Sequence, residues 1–171
     1  MTTLLPLPSR IPSVTAPPTA QLVFPRPIAA LASAAVAGLL AFSTPAAAQH
    51  ADDVRGVRAA VEQYFRGHAT GDSAVMRKAF LPTAHIEGIR NGAFSSWTVD
   101  QYVGGMRGTP PADEAQRVRT IDEVSVTGTA ATAKATLLHG PTHFTDYFVL
   151  LKVNGEWKIA NKVYHAAPRA P

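Results

Sequence analysis

Three residues able to hold or move protons, Asp146, Asn161 and His165, fall within one β-rich stretch near the end of the chain, FTDYFVLLKVNGEWKIANKVYH from Phe144 to His165. Asn154-Gly155 divides it into two runs, a strong short-range signal for a two-residue hairpin turn. That turn fixes a register in which Val153 pairs with Glu156 and Lys152 with Trp157. One face then carries Phe144, Asp146, Phe148, Leu150 and Lys152 with Trp157, Ile159, Asn161, Val163 and His165. This set is the bulkier and more apolar, so it is expected to face the core. The other set, including Tyr147, Val149, Lys158, Lys162 and Tyr164, is expected to face outward. In this register Asp146 sits opposite Val163, with Asn161 and His165 as diagonal neighbours at roughly 7–8 Å. A histidine beside a carboxylate can act as an acid–base pair or can orient a ligand. Buried polar groups need partners, so a self-satisfied network is the competing reading.

Two other sets of residues could contribute. Tyr64 lies on the apolar stripe of a helix, either as a pocket hydroxyl or as a core tyrosine bonded to the sheet. His85 opens a strand and is expected at the rim, where gating of a pocket is the lesser reading. His139 and His143 bracket the Gly140-Pro141 turn, but no third ligand is spaced with them, so no metal site is expected. The chain has no cysteine, which excludes thiol catalysis and cysteine-ligated metal. No cofactor is expected.

The elements that position these residues can be read from periodicity. Val54, Val57, Val61, Tyr64, Phe65 and His68 recur at helical spacing, with Asp52 or Asp53 as candidate cap. Gly71 ends this helix, Asp72 caps a short second one, and Pro82 stops it. Ala84 to Arg90 predicts a strand, Asn91-Gly92 a turn, and Phe94 to Trp97 a further strand. Thr98 to Gln101 matches a capping box. From Arg117 the period is two, with a slip at Asp122-Glu123 that predicts a bulge. Ala131, Ala133, Ala135 and Leu137 share the core-facing side of the next strand. Helices first and antiparallel strands after predict an α+β domain with helices on one face of a curved sheet.

The front of the chain differs from this domain. Residues 1–48 hold Arg10 and Arg26, no acidic residue, a small and apolar run from Ile28 to Phe42, and Ala46-Ala47-Ala48. That order predicts a secretory signal peptide cut after Ala48. The run is short for a span of roughly 20 residues, so an uncleaved anchor is the alternative. The mature domain would be residues 49–171, secreted and expected in the periplasm, with no membrane attachment after cleavage. Of 16 basic and 12 acidic residues, two arginines leave with the leader, giving 14 − 12 = +2. The remaining cations are scattered, which argues against nucleic acid as a partner.

Residues 52 to 166 resemble the nuclear transport factor 2-like superfamily. The similarity is greatest to its putative lumazine-binding group, which also resembles the SnoaL-like proteins. It rests on Tyr64…Gly71-Asp72…Phe80, Thr145-Asp146-Tyr147, Leu150-Leu151-Lys152-Val153, Gly155, Trp157-Lys158-Ile159 and Asn161-Lys162-Val163. Leu81 departs from the group, which often has histidine there. The resemblance implies a cone-shaped fold, a pocket between sheet and helices, and a homodimer. Its ketosteroid isomerases place an oxyanion-hole tyrosine where Tyr64 stands and an aspartate base on the first strand. The matching strand position here is Gly88, so that chemistry is disfavoured, and Glu87 is expected on the opposite face. The leading expectation is a pocket for a small apolar or aromatic molecule, lined by Tyr64, Phe148, Asn161, Asp146 and His165, with His85 at its rim. An enzyme of the SnoaL or ketosteroid isomerase type using Asp146 and His165, and a dimerisation module without ligand, are the alternatives.

Overall fold

The computed structural model describes residues 45–90 and 92–169. Residues 1–44, which hold most of the expected leader, and Asn91 of the expected Asn91-Gly92 turn lie outside them. The helices are α1 (Pro45–Thr70), α2 (Ser73–Arg77) and α3 (Val99–Val103). The strands are β1 (His85–Arg90), β2 (Ala93–Thr98), β3 (Val118–Thr127), β4 (Ala130–His139), β5 (Thr142–Val153) and β6 (Glu156–Pro168). They form one sheet in the order β2-β1-β6-β5-β4-β3, in which β1 and β6 run parallel and the other neighbours antiparallel. The helices pack against this curved, open sheet, giving the α+β layout that the element order predicts and the cone-like fold that the resemblance implies.

Val57, Ala60, Val61 and Tyr64 make the buried stripe of α1. Opposite them, Ala131, Ala133, Ala135 and Leu137 are buried on β4. The small alanines let the helix approach the sheet closely, and each large aliphatic side chain sealed between the layers contributes roughly 1.5–3 kcal/mol. α1 ends at Gly71, which adopts φ 63°. A Cβ there would stand 2.1 Å from the Thr109 carbonyl oxygen, so glycine is required both by conformation and by space. Asp72 caps α2 by accepting from the Ala74 and Val75 N–H groups, and Thr98 and Gln101 form the capping box of α3.

α1 starts well before the expected cap. Pro45 suits a first helical turn and the following alanines favour helix, so nothing halts it before Asp52. Asp53 is therefore inside the helix. Its Oδ1 accepts from Lys152 Nζ at 2.6 Å and Trp157 Nε1 at 3.2 Å, tying α1 to the β5–β6 hairpin. The Lys152 ammonium holds the Asp53 carboxyl below its usual range.

The turn register is as the sequence predicts as far as Leu150↔Ile159. It then slips: Val149 pairs with Asn161, leaving Ala160 as the extra residue of a bulge. Side chains alternate with a period of two, so one inserted residue exchanges the faces of everything beyond it. Lys162 and Tyr164 turn into the core, while Val163 and His165 are exposed. The expected bulge in β3 is present between Ile121 and Glu123. It has a visible signal, because the alternation itself breaks there; β6 carries no such signal.

Candidate functional site

The slip in β6 builds the site. Asp146 pairs with Tyr164, and Lys162 pairs with Phe148. Asp146 is 1% exposed and Lys162 4%. Lys162 Nζ donates to Asp146 Oδ2 at 2.9 Å, and Tyr64 Oη donates to the same oxygen at 2.7 Å. Lys162 Nζ also lies 3.0 Å from Tyr64 Oη. Three rings surround the ammonium, with centroids at 4.9 Å for Tyr164, 5.2 Å for Tyr64 and 5.9 Å for Tyr102. Their π faces partly replace the water that burial removes from the cation. Burial pushes the Lys162 amine below its usual range, and Asp146 opposes that shift.

The network continues through hydroxyls. Tyr64 Oη is 3.5 Å from Tyr102 Oη, which is 3.0 Å from His68 Nε2. Burial raises both phenol pKa values, and the nearby Asp146 charge adds to both shifts. Burial also holds His68 well below its ordinary value, with Lys162 adding repulsion. A neutral His68 can accept from Tyr102, so its role here is to fix that hydroxyl.

These groups line a cavity of about 180 Å³ between α1, α3 and the sheet, with Trp97, Leu137, His139 and Phe144 completing much of the wall. The wall is mostly aromatic, and Arg90, Asp146 and Lys162 are its charged members. Two buried atoms have no hydrogen-bond partner among the described residues and belong to residues lining this cavity: Asp146 Oδ1 and His139 Nε2. A buried carboxylate oxygen without a donor costs free energy, so its persistence points to a ligand or water that supplies one. A wider groove of about 810 Å³ crosses the opposite face of the sheet beside Tyr147, Val149 and Val163. It holds none of the buried network.

Each expected site residue can now be placed. Asp146 and Tyr64 meet in the cavity as one hydrogen-bonded unit. Phe148 is buried behind Tyr64, with ring centroids 5.2 Å apart, and supports it. His165 pairs with Thr145, on the far face from Asp146. The structure therefore does not form the expected Asp146/His165 pair within this chain. Asn161 is also on that far face, where its Oδ1 accepts from the His85 N–H at 2.9 Å and its Nδ2 is 3.4 Å from Glu87. His85 is exposed and outside the cavity wall. The bulge at Ala160 is the common cause for Asn161 and His165. Lys162 and Tyr164, assigned outward from sequence, take their places.

A Cβ at Gly88 would stand 2.7 Å from the Tyr164 ring. Tyr164 fills that space and its hydroxyl is 2.9 Å from Ser95 Oγ. Glu87 lies on the other face, bonded to Ser96. Among the described residues, no group of three or more His, Cys, Asp or Glu side chains could hold a metal ion.

This fold, with a polar cluster sunk between sheet and helices, defines a member of the nuclear transport factor 2-like superfamily. Residues 52–165 match the family described as putative lumazine-binding, and the chain belongs to that family. Among curated proteins it is similar to Aldolase FrzH from Cladobotryum sp, at 26% identity over 109 residues, 62% of this chain and 85% of that protein. Among solved structures, it is similar to a nuclear transport factor 2-like protein of unknown function from Shewanella baltica OS155. There the identity is 26% and the TM-score 0.63, covering 70% of this chain and 98% of that one. A second, from Silicibacter pomeroyi DSS-3, is 24% identical with TM-score 0.63, covering 69% and 98% respectively, and supports the fold.

Proposed function

We propose that the protein binds a compact, largely aromatic or apolar molecule in the cavity beneath α1. The molecule's polar group meets Asp146, Tyr64, Tyr102 and Lys162. The observation that carries this reading is Asp146 Oδ1, a buried acceptor without a partner among the described residues, on a residue that lines the cavity. A ligand presenting an N–H or O–H satisfies it. The cavity is smaller than the roughly 300–1,000 Å³ of pockets for drug-sized ligands, so the ligand is smaller too. A thermal-shift screen of small aromatic alcohols, amides and carbonyl compounds tests the reading. Binders should raise the Tm of the wild type and have little effect on Leu137→Phe, which fills the cavity. Equal shifts in both proteins would place binding elsewhere.

A second reading is an enzyme of the SnoaL or ketosteroid isomerase type. The same free Oδ1 favours it, because a carboxylate with an open lone pair can take a proton, with Tyr64 and Tyr102 hydroxyls placed to receive developing negative charge. The similarity to a protein named an aldolase also supports carbonyl chemistry. In this reading Asp146, rather than an Asp146/His165 pair, is the base.

The protein is further proposed to be exported to the periplasm after cleavage behind Ala48. Such a cut removes the first turn of α1 and leaves the packing residues from Val57 onward. Among the described residues no helix is long and apolar enough to cross a membrane. A homodimer is proposed through the outer sheet face, where Tyr147, Val149, Leu151, Val153 and Val163 stay exposed. A pairing without any ligand would make the protein a dimerisation module.

A further inference from the structure

We propose that Lys162 is a carbonyl-condensing amine: its Nζ forms an imine with a small aldehyde or ketone bound in the aromatic cavity. This inference rests on the cavity reading above and names the substrate class for it.

Five observations converge. Lys162 is one of the residues lining the cavity, and its side chain is shielded from bulk solvent. Desolvation favours the neutral, nucleophilic form, and the amine is shifted in that direction. Asp146 Oδ2, at 2.9 Å, can take the proton that must leave before attack. Tyr64 Oη, at 3.0 Å from Nζ and 2.7 Å from the carboxylate, is placed to pass a proton to the carbonyl oxygen. A purely structural ion pair would be expected to have both carboxylate oxygens satisfied, yet Asp146 Oδ1 has no partner among the described residues.

The step balances without a further reactant. The ammonium gives one proton to Asp146. The nitrogen lone pair then attacks the carbonyl carbon, and the C=O π electrons move to oxygen, which takes a proton through Tyr64. The carbinolamine loses its hydroxyl as water, carrying away a second proton from nitrogen in net terms. The product is a protonated imine. It keeps one N–H and the positive charge, so the pairing with Asp146 persists through the reaction. The electron-poor imine then acidifies the neighbouring carbon, which is the chemistry a carbon–carbon bond-forming or bond-breaking reaction requires.

Reductive trapping tests this on the wild-type domain. The protein is incubated at neutral pH with a low concentration of benzaldehyde and sodium cyanoborohydride, and then digested for peptide mapping. Hydride reduction fixes the imine as a stable benzylamine. The expected result is one benzyl group on the peptide containing Lys162, formed at least about tenfold faster than on the exposed Lys78, because a carbonyl bound in the cavity is held beside the amine. Prior addition of excess benzyl alcohol, which fits the same cavity but cannot form an imine, should suppress it. If benzaldehyde raises the Tm of the wild type but not of Leu137→Phe, while Lys162 stays unlabelled or reacts no faster than Lys78, the imine is overturned and the pocket reading stands. Neither binding nor labelling overturns both. Lys162→Arg, which keeps the charge, should bind benzaldehyde without trapping it.

Discussion

Lys162 Nζ lies 2.9 Å from Asp146 Oδ2, with both side chains sealed from solvent between an amphipathic helix and the last two strands. Neither charge is tolerable in that place alone. Together with the Tyr64 hydroxyl they form a unit that is costly to bury and useful for chemistry. Its cost is kept low by the three surrounding tyrosine rings.

Removing one member should show this dependence. Lys162→Met leaves an uncompensated carboxylate and is expected to cost about 3–5 kcal/mol of stability. Adding Asp146→Leu to it should recover most of that loss. Urea unfolding of the two variants measures the difference. Additive losses would mean that the pair is not coupled.

Gly88 should resist any side chain. Gly88→Ala drives a methyl group into the Tyr164 ring and backbone, and overpacking of this kind costs about 1–3 kcal/mol. Combining it with Tyr164→Leu should relieve part of the strain. Thermal unfolding of the single and double variants checks it, and a neutral Gly88→Ala would contradict the close approach.

Acid should weaken the fold through its histidines. Burial lowers His68 well below the ordinary 6.5, and burial with Arg119 and Arg117 nearby lowers His139 to about 4. Below pH 6.5 the unfolded chain binds protons that these folded rings refuse. Stability from this source is therefore complete above 6.5 and declines as pH falls toward the folded values. A fully shielded histidine gives about 1.4 kcal/mol per pH unit, and these two give less because each keeps some solvent contact. His139→Gln should flatten the decline between pH 7 and pH 5 in denaturant titrations. An unchanged slope would remove His139 from the account.

The exposed outer strands offer a separate test. Val149→Lys places a charge in the middle of the apolar face and should shift the proposed dimer to monomer in light scattering, leaving secondary structure intact. A wild-type protein that is monomeric at high concentration would end that proposal.

Most of the fold could be read from the chain because its signals are local. Periodicity locates α1 and the strands, Gly71-Asp72 and Thr98…Gln101 mark helix boundaries, and Asn154-Gly155 fixes the closing hairpin. The polar site was legible only in half. Tyr64, Asp146 and Phe148 follow from stripe and register, and all three are buried together. Lys162 and Tyr164 do not, because a single unpaired residue at Ala160 reverses the faces of β6. Alanine leaves no mark of a bulge, and a strand with polar residues on both faces gives no preference strong enough to reveal one. A lysine flanked by Asn161 and Val163 reads as solvent-facing until its aromatic and carboxylate neighbours, distant in sequence, are seen around it. Asp53 is a similar case: its partners Lys152 and Trp157 lie on the far hairpin, so its sequence position reads as a cap.

The central claim is that the cavity at Asp146 holds a small molecule. Native mass spectrometry of residues 49–171, purified without denaturation and compared with Asp146→Asn, tests it most directly. The account predicts that the wild type carries or accepts one compact molecule per chain, and that the isosteric Asp146→Asn variant holds it at least about tenfold less tightly, as loss of a charge-assisted hydrogen bond implies. Equal binding by both proteins, or a wild type that accepts no small molecule, would contradict it.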